Sequence, residues 1–294
     1  EKPTMASGLC SVVSRRYSNN LCILTFIWSV RFSCHYKQRG LTRDMQALLK
    51  GTPTRLAVLD YGLFQVHENG RIIGICGYLI QTTAGENVLI DTGFPAKYAA
   101  DAEGATREDG LGSFGQVLAL GPENLAPAQL ALLGVEPAEI SLMVQSHTHI
   151  DHVGFMDAFA DVPIVIAAAE RALPRPLYWS GKQALEWPEA EYHLVEQDCK
   201  LGTGFDVLLV PGHAPGQLAF VIDLPNTGTV LLTSDAISRP SEFDTEFAGS
   251  WDADLAMHHA SRLLARAAQD RATVIYGHSP EQWPTLRKAP EWYD

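Results

Sequence analysis

Four side chains that can bind metal ions occupy six consecutive positions, His147-Thr148-His149-Ile150-Asp151-His152. An apolar run, residues 140–145, precedes them, and a short apolar run of this kind is typical of a buried strand. Imidazole nitrogens and carboxylate oxygens are ordinary ligands of Zn²⁺ and similar divalent cations. Because the loop that leaves a strand brings its side chains close together, this segment predicts a metal site and not a solvated polar turn.

Three more residues of ligand type follow apolar runs further along the chain: His213, Asp235 and His278. Each loop carries Gly, Pro or Ser nearby, which is typical of tight turns at strand ends. Taken singly, either histidine would more often be a hydrogen-bonded residue of the interior. The repetition of the pattern beside the first cluster indicates joint metal binding.

Seven ligands are too many for one tetrahedral zinc ion, which takes four. We therefore expect two divalent cations, one bound by His147, His149 and His213, the other by Asp151, His152 and His278, with Asp235 as a bridge. Such a pair leaves open positions for a water molecule, as in hydrolytic two-metal sites. The ligand types favour Zn²⁺, but they also suit cobalt, manganese or iron. Closed structural zinc sites more often use cysteine, and the chain has no C-x-x-C spacing.

In these residues the sequence resembles the metallo-β-lactamase superfamily, whose mark is the H-x-H-x-D-H loop. The resemblance runs from about residue 56 to residue 292. It includes the segments Asp91-Thr92-Gly93, Ser146, Pro211-Gly212-His213, Thr233-Ser234-Asp235 and Gly277-His278. It implies a four-layer αββα sandwich with the metals at one edge, whereas the alternation of strands and helices alone supports only a mixed α/β class.

Within that superfamily the sequence is most similar to the N-acyl-homoserine lactonases, through Asp235-Ala236, Phe247-Ala248-Gly249 and Tyr276-Gly277-His278. The resemblance implies a quorum-quenching enzyme that opens the lactone ring of an N-acyl homoserine lactone. A hydroxide between the two metals would attack the carbonyl carbon, and Asp151 would pass a proton to the leaving oxygen. The catalytic residues would then be Asp151 and the bridging Asp235.

One position departs from the lactonase pattern. Those enzymes usually have a tyrosine three residues after the bridging aspartate, where this chain has Ser238. The role of that tyrosine is then unfilled or supplied from elsewhere, with Tyr61 and Tyr178 as candidates. Several residues near this position are candidates for lining an apolar substrate pocket or for packing in the core: Ser238, Phe243, Phe247 and Trp251.

Asp91 ends a strand-like run and precedes Thr92-Gly93. A carboxylate at this point could accept the free N–H of a metal-bound imidazole and fix its orientation. The alternative is an aspartate that only forms a turn.

Other reactions fit the same ligands. A thioesterase of the glyoxalase II type shares all seven, and an aryl esterase or phosphotriesterase could use the same two-metal site. A β-lactamase is disfavoured, because the zinc β-lactamases most often place a cysteine where Asp235 stands. A metal-binding or redox protein without hydrolytic activity is the alternative from a different class.

Composition limits the classes of partner that the protein is expected to bind. The chain has 294 residues, 46% of them hydrophobic, and a formal net charge of -12. The negative charge argues against a nucleic-acid partner. The sequence contains no run of about 20 apolar residues, so no membrane span is predicted. We therefore expect a small-molecule lactone or ester as the partner. The sequence leaves the oligomeric state open, with a homodimer as one option.

The first 44 residues differ from the rest of the chain. They contain three of the five cysteines and have no clear core periodicity. We expect a disordered or non-native leader over residues 1–44, followed by one hydrolase domain over residues 45–294. The odd number and irregular spacing of the cysteines give no disulfide framework, so the expected compartment is the cytoplasm.

Periodicity and turn residues also predict the elements that must position the ligands. The predicted strands cover residues 55–59, 72–82, 87–91, 140–146, 162–167, 205–210, 217–223, 229–234 and 272–276. The predicted helices cover residues 127–133, 153–159 and 252–268. Two irregular segments are expected, a Gly-rich polar excursion over 104–121 and a segment over 174–190 that could include a helix.

Overall fold

Two β-sheets lie face to face across an apolar core in the computed structural model of the chain, which describes residues 48–294. The expectation for residues 1–44 lies outside the described residues. The first sheet consists of β1 (Pro53–Val66), β2 (Ile72–Thr82), β3 (Asn87–Ile90), β4 (Gly115–Ala119), β5 (Ile140–Gln145), β6 (Ile164–Ala167) and β7 (Tyr192–Val195). The second consists of β8 (Cys199–Gly202), β9 (Phe205–Leu209), β10 (Leu218–Leu224), β11 (Gly228–Leu232) and β12 (Thr273–Ile275).

The first sheet has the order β4-β1-β2-β3-β5-β6-β7. Its strands β1 to β3 form the antiparallel meander that the sequence predicts, and β3, β5, β6 and β7 are parallel. The second sheet has the order β12-β11-β10-β9-β8 and is antiparallel except for the parallel pair β11 and β12. Parallel strands end at the same side of a sheet, so the loops that follow them gather there.

Helices cover the outer faces of both sheets. The helices are α1 (Lys97–Ala100), α2 (Ala102–Asp109), α3 (Ala126–Leu132), α4 (Ala168–Arg171) and α5 (Ala253–Asp270). Residues of α1, α2 and α3 share one apolar cluster with the outer face of the first sheet. Residues of α5 share another with the outer face of the second sheet. The four layers therefore follow the order α, β, β, α, which confirms the predicted sandwich.

The helix α5 forms as its sequence predicts. Asp252 caps its N-terminus by accepting a hydrogen bond of 3.0 Å from the backbone N–H of Leu255. The side chains of Ala256, Ala260, Leu263 and Ala267 are buried and recur at helical spacing, so they form the face that packs on the second sheet.

Several parts of the predicted outline are wrong or incomplete, among them the helix over 153–159, where a 3-10 helix, Met156–Phe159, forms. The expected excursion over 104–121 contains most of α2 and all of β4, because Asp101 caps α2 and β4 pairs with the long strand β1. The short strands β7 and β8 were not predicted, since four-residue strands carry little periodicity. The described residues 174–190 contain no helix; the short helix α4 ends before them.

The described residues contain no helix with the length and apolar character of a membrane span.

Candidate metal centre

The loops that carry the seven predicted ligands meet at one edge of the sandwich. The loop with His147, His149, Asp151 and His152 follows β5 of the first sheet. The other three ligands follow strands of the second sheet, His213 after β9, Asp235 after β11 and His278 after β12. The sandwich therefore brings together ligands that lie up to 131 positions apart in the sequence, which is the difference between 278 and 147.

The first predicted triad is assembled around three ring nitrogens. Nε2 of His147 lies 3.0 Å from Nδ1 of His149, and that Nδ1 lies 2.9 Å from Nε2 of His213. Ligand nitrogens about 2.0–2.1 Å from one Zn²⁺ would stand roughly 3.3 Å apart in a tetrahedral arrangement. The three imidazoles therefore have nearly the spacing that a single cation requires.

The second predicted triad is assembled next to the first. Nε2 of His278 lies 3.5 Å from Oδ2 of Asp151, and Nε2 of His152 lies 3.8 Å from Oδ1 of Asp151. The two histidines turn their other ring nitrogens away from the cluster. Nδ1 of His278 contacts the carbonyl oxygen of Gly74 at 2.8 Å. This triad and the first are each compact enough to hold an ion.

Asp235 lies between the triads and presents one carboxylate oxygen to each. Its Oδ2 is 3.4 Å from Nε2 of His213 and 3.9 Å from Nε2 of His147. Its Oδ1 is 3.1 Å from Nε2 of His278 and 3.5 Å from Nε2 of His152. This is the arrangement that a bridging ligand needs. The residue before Asp235 packs tightly against the residue before His278, since a Cβ at Gly277 would stand 2.5 Å from the carbonyl oxygen of Ser234.

The donor set fits a pair of divalent cations. Nε2 of His152, Nε2 of His278 and Oδ1 of Asp235 are all buried, and within the described chain none of them hydrogen-bonds to a group outside the cluster. Buried polar atoms without such partners are costly, and they are expected where an ion or water completes a site. Together with the geometry, they show that the histidine and aspartate groups fit a dinuclear metal site.

Protonation differs between the triads. Burial lowers the pKa of His149 to about 3 and also lowers the pKa of His147 and His213, so these rings offer free lone pairs at neutral pH. Burial acts in the same direction on His278, but the carboxylates of Asp235 and Asp151 outweigh it and raise its pKa to about 9. A cation that binds His278 must therefore displace a proton from its ring.

Asp91 supports the second triad as the sequence suggested. Its Oδ2 lies 2.8 Å from Nδ1 of His152, and it also accepts hydrogen bonds from the hydroxyl of Ser146 at 2.6 Å and, at Oδ1, from the amide of Gln145 at 3.0 Å. Its backbone φ is +58°, a left-handed value that is unusual for aspartate and is found at functional sites. Asp91 therefore orients a ligand rather than only forming a turn.

The site opens on one side. The side chain of His213 is 25% exposed and that of Asp151 is 17% exposed, whereas His147 is completely buried. Trp251 is 60% exposed, and its backbone N–H donates to the carbonyl oxygen of His213 at 3.2 Å. The backbone of Trp251 therefore lies beside the loop of His213, and its indole is exposed to solvent.

The other predicted pocket residues have different surroundings. The carbonyl oxygen of Ser238 accepts a hydrogen bond of 2.8 Å from the N–H of His278, so Ser238 lies directly beside a ligand. Phe247 is buried in the apolar cluster that includes α5, and Phe243 is half-buried with its ring centroid 5.1 Å from that of Phe247. Phe247 therefore has the placement of a core residue.

The two candidate replacements for the missing tyrosine are engaged elsewhere. The hydroxyl of Tyr61 donates to the carbonyl oxygen of Asp91 at 3.2 Å, and that of Tyr178 donates to Oδ2 of Asp109 at 2.8 Å. Both side chains are buried. Neither hydroxyl is free to bind a substrate carbonyl in this structure.

Sequence comparison agrees with the architecture of the site. The sequence model of the metallo-beta-lactamase superfamily matches residues 77–278, a range that contains all seven ligands. The chain belongs to the metallo-beta-lactamase superfamily.

Its relatives in that superfamily include N-acyl homoserine lactonases. It is 34% identical over 224 residues to N-acyl homoserine lactonase AiiA of Bacillus thuringiensis subsp. kurstaki, a match that covers 73% of this chain and 85% of the relative. It is 31% identical over 182 residues to N-acyl homoserine lactonase AttM of Agrobacterium fabrum, covering 56% of this chain and 68% of the relative.

Solved structures of such enzymes share the fold. One is a B. thuringiensis AiiA variant with N-decanoyl-L-homoserine bound at the active site, with a TM-score of 0.72 and 25% identity, covering 82% of this chain and all of that one. Another is an N-acyl homoserine lactone hydrolase with its product N-hexanoyl-L-homoserine at the catalytic metal centre, with a TM-score of 0.69, 26% identity and the same coverage. The predicted resemblance and the predicted fold are both confirmed.

Proposed function

We propose that this protein opens the lactone ring of N-acyl homoserine lactones by hydrolysis at a centre of two Zn²⁺ ions. The observation that carries the proposal is the position of Asp235 between two triads of ligands, with one oxygen towards each. When bound, the two cations supply an activated water at neutral pH and a Lewis acid for the lactone carbonyl. The relatives named N-acyl homoserine lactonases support the choice of substrate.

Each ligand residue has a place in this reaction. Asp235 would be the ligand that the two cations share, and the imidazoles of each triad would hold one cation. Asp151 lies at the open side of the site, so its carboxylate is placed to take a proton from the attacking water. It returns that proton to the ring oxygen as the bond between the carbonyl carbon and that oxygen breaks. The product is one molecule with an alcohol and a carboxylic acid, and the acid releases its proton to solvent to become a carboxylate.

Zinc is the cation that we propose because the site combines imidazole and carboxylate ligands without thiolate. Cobalt, manganese and iron accept the same ligands, so elemental analysis of protein purified without added metal is the test. Zinc at about two equivalents would support the proposal. If the analysis instead finds about two equivalents of another metal, the proposal of zinc is wrong and the proposal of a two-metal centre is retained.

Trp251 is the residue that we propose for contact with the acyl chain. Its indole is the most exposed of the large hydrophobic side chains of the described residues, and its backbone bonds to a ligand-bearing loop. We expect Trp251→Ala to raise KM for a decanoyl substrate by about tenfold, since burying such a ring contributes roughly 1–3 kcal/mol. KM for a butanoyl substrate should change much less, and equal changes for both chains would contradict this role.

The compartment that we propose is the cytoplasm. Cys76 and Cys199, the two cysteines of the described residues, are free thiols, and free thiols are usual in reducing compartments. Cell fractionation with an antibody against the protein tests this placement.

A substrate panel tests the reaction itself. Metal-replete protein should open homoserine lactones of several acyl lengths faster than it cleaves γ-lactones, thioesters, aryl esters or phosphotriesters. Fast thioester cleavage without any opening of homoserine lactones would instead favour the glyoxalase II type of activity. Preferred cleavage of aryl esters or phosphotriesters would likewise overturn the proposed substrate.

A further inference from the structure

A buried glutamate joins the two loops that carry the first triad. Glu170 belongs to the short helix α4 and is 0% exposed. Its Oε2 accepts hydrogen bonds from the backbone N–H of Thr148, at 3.1 Å, and from the Thr148 hydroxyl. Its Oε1 accepts from the backbone N–H of Gly216 at 3.1 Å. One carboxylate thus connects two segments that are 68 positions apart, the difference between 216 and 148.

The two segments are those that bear His147, His149 and His213. Thr148 stands between His147 and His149, and Gly216 follows His213 by three positions. The two loops approach each other at the ligands, where Nδ1 of His149 and Nε2 of His213 are 2.9 Å apart. A change in the spacing of the loops would therefore change the spacing of these nitrogens.

The contact with Gly216 is close enough to require glycine. A Cβ built on Gly216 would stand 2.6 Å from Cγ of Glu170 and 2.7 Å from Cβ of Ala167. Real Cβ atoms do not approach neighbours so closely, so a side chain here would push α4 and the His213 loop apart. This packing is an observation separate from the hydrogen bonds, and it locates the same junction.

The surroundings of Glu170 are unusual for a carboxylate that serves only stability. Burial raises its pKa, and the bonds from Thr148 and Gly216 oppose that rise. Among the described residues, the hydrogen bonds to its carboxylate come from these loops and not from a lysine or arginine. A buried carboxyl group is costly, and this one is held only by the loops that present the ligands.

We propose that Glu170 is a positioning residue that sets the separation of His149 and His213 and thereby the affinity for the cation that these histidines share with His147. The inference rests on the proposed two-metal centre. Residues that orient metal ligands from outside the ligand set typically contribute about 10- to 100-fold in metal affinity. Glu170 acts through backbone N–H groups and one hydroxyl, without contact to a ligand ring.

The test is Glu170→Gln, which keeps the shape of the side chain. Its amide keeps one acceptor oxygen but turns an NH₂ group towards one of the loops, so one connection is lost. Stepwise zinc loading of metal-free protein, in competition with a chromophoric chelator, resolves the two equivalents. We expect one equivalent to bind about 10- to 100-fold more weakly and to leave faster into excess chelator. The zinc affinity of the other equivalent should change less than about threefold, because substitutions have small effects on sites with which they share no contacts.

Two further variants make the result specific. Gly216→Ala perturbs the same junction from the other loop, so it should weaken the same equivalent, and the double variant should lose less than the sum of the two free-energy changes. Leu130→Ala truncates a buried residue of α3 and serves as the control for general destabilisation. It should lower the thermal midpoint without changing either metal affinity.

Several outcomes would overturn the inference. Zinc affinities of Glu170→Gln equal to those of the unaltered protein, or a loss shared equally by both equivalents, would contradict a role at the first triad. If Glu170→Gln does not fold, unchanged zinc binding by Gly216→Ala would contradict that role in the same way. Failure of the unaltered protein to bind two equivalents would overturn the two-metal centre itself, and with it this inference.

Discussion

The two halves of the metal centre are supported in different ways. In the second triad, side-chain and backbone oxygens contact the imidazoles directly, Asp91 at His152 and the carbonyl of Gly74 at His278, each at 2.8 Å. In the first triad, the hydroxyl of Ser146 is the only such contact to a ring among residues 48–294, at Nδ1 of His147 and a longer 3.1 Å. The first triad instead depends on how its loops are spaced.

The imidazoles of the two triads also differ in exposure. His152 and His278 are nearly inaccessible, with 3% and 7% of their side chains exposed, while His213 of the first triad is 25% exposed. The division is not complete, because His147 of the first triad is buried and Asp151 of the second is 17% exposed. A ring that faces solvent cannot be packed on all sides, so its loop must be fixed from behind. Direct orientation of rings serves the second triad, the closed half, and control of loop spacing by Glu170 would serve the first triad, the open half.

The largest effect should come from the residue that both halves share. Asp235→Ala removes the ligand placed between the triads, so we expect metal content to fall below two equivalents. The rate of lactone opening should fall by about a thousandfold or more, because several kcal/mol of stabilisation by the cations are lost. Elemental analysis beside the lactone assay checks both. A variant that keeps two equivalents and nearly full activity would show that Asp235 is not a bridge.

The second-largest effect should come from the loss of one ligand of the first triad, the open half. His149→Ala removes the nitrogen that lies between those of His147 and His213, so one equivalent of metal and most of the activity should disappear together. The matched control is His258→Ala, an exposed histidine of α5 that belongs to none of the groups that could hold a metal ion. Loss of metal in the control as well, or retention of both equivalents in His149→Ala, would count against the assignment.

Asp91→Asn addresses the closed half. The amide of asparagine can no longer accept from all of Ser146, Gln145 and His152, so the orientation of the His152 ring is weakened. We expect about 10- to 100-fold lower affinity for one metal equivalent. If the comparison is right, this is the equivalent that Glu170→Gln leaves nearly unchanged. Weakening of the same equivalent by both variants would remove the distinction between the halves.

The smallest effect is expected at Ser238. If its hydroxyl is only a weak substitute for the usual lactonase tyrosine, Ser238→Ala should lower the rate by less than about tenfold, since one hydrogen bond contributes roughly 1 kcal/mol. Ser238→Tyr should raise turnover of homoserine lactones. Steady-state kinetics on one lactone check both variants, and a hundredfold loss in Ser238→Ala would give the serine a larger role.

The ligands could be predicted because each follows a strand with a strong apolar signal. The strands before His147 and Asp235 are mostly buried, the strand before His278 is buried at its last residue, and all three end near a ligand in loops that carry turn residues. The resemblance to a known family supplied the layer order, which the alternation of elements alone does not determine. Asp91 could be predicted as well, because it also ends a strand and has the chemistry to hold an imidazole.

What the sequence did not reveal depends on contacts between distant segments. Glu170 is a single acidic residue that follows the buried strand β6 and Ala167-Ala168-Ala169, and this apolar run before it is the local sign of its burial. The core placement of Phe247 depends on packing against α5, which periodicity near residue 247 does not report. The strand β4 forms because β1 extends to Val66, well beyond its predicted end.

The central claim is that two bound cations together open a homoserine lactone. The most direct measurement is the rate of ring opening, followed by proton release with a pH indicator, as metal-free protein is titrated with Zn²⁺. The account predicts no hydrolysis by the metal-free protein and a rate that rises to a plateau at about two equivalents per chain. Full activity at one equivalent, or hydrolysis by the metal-free protein, would contradict it.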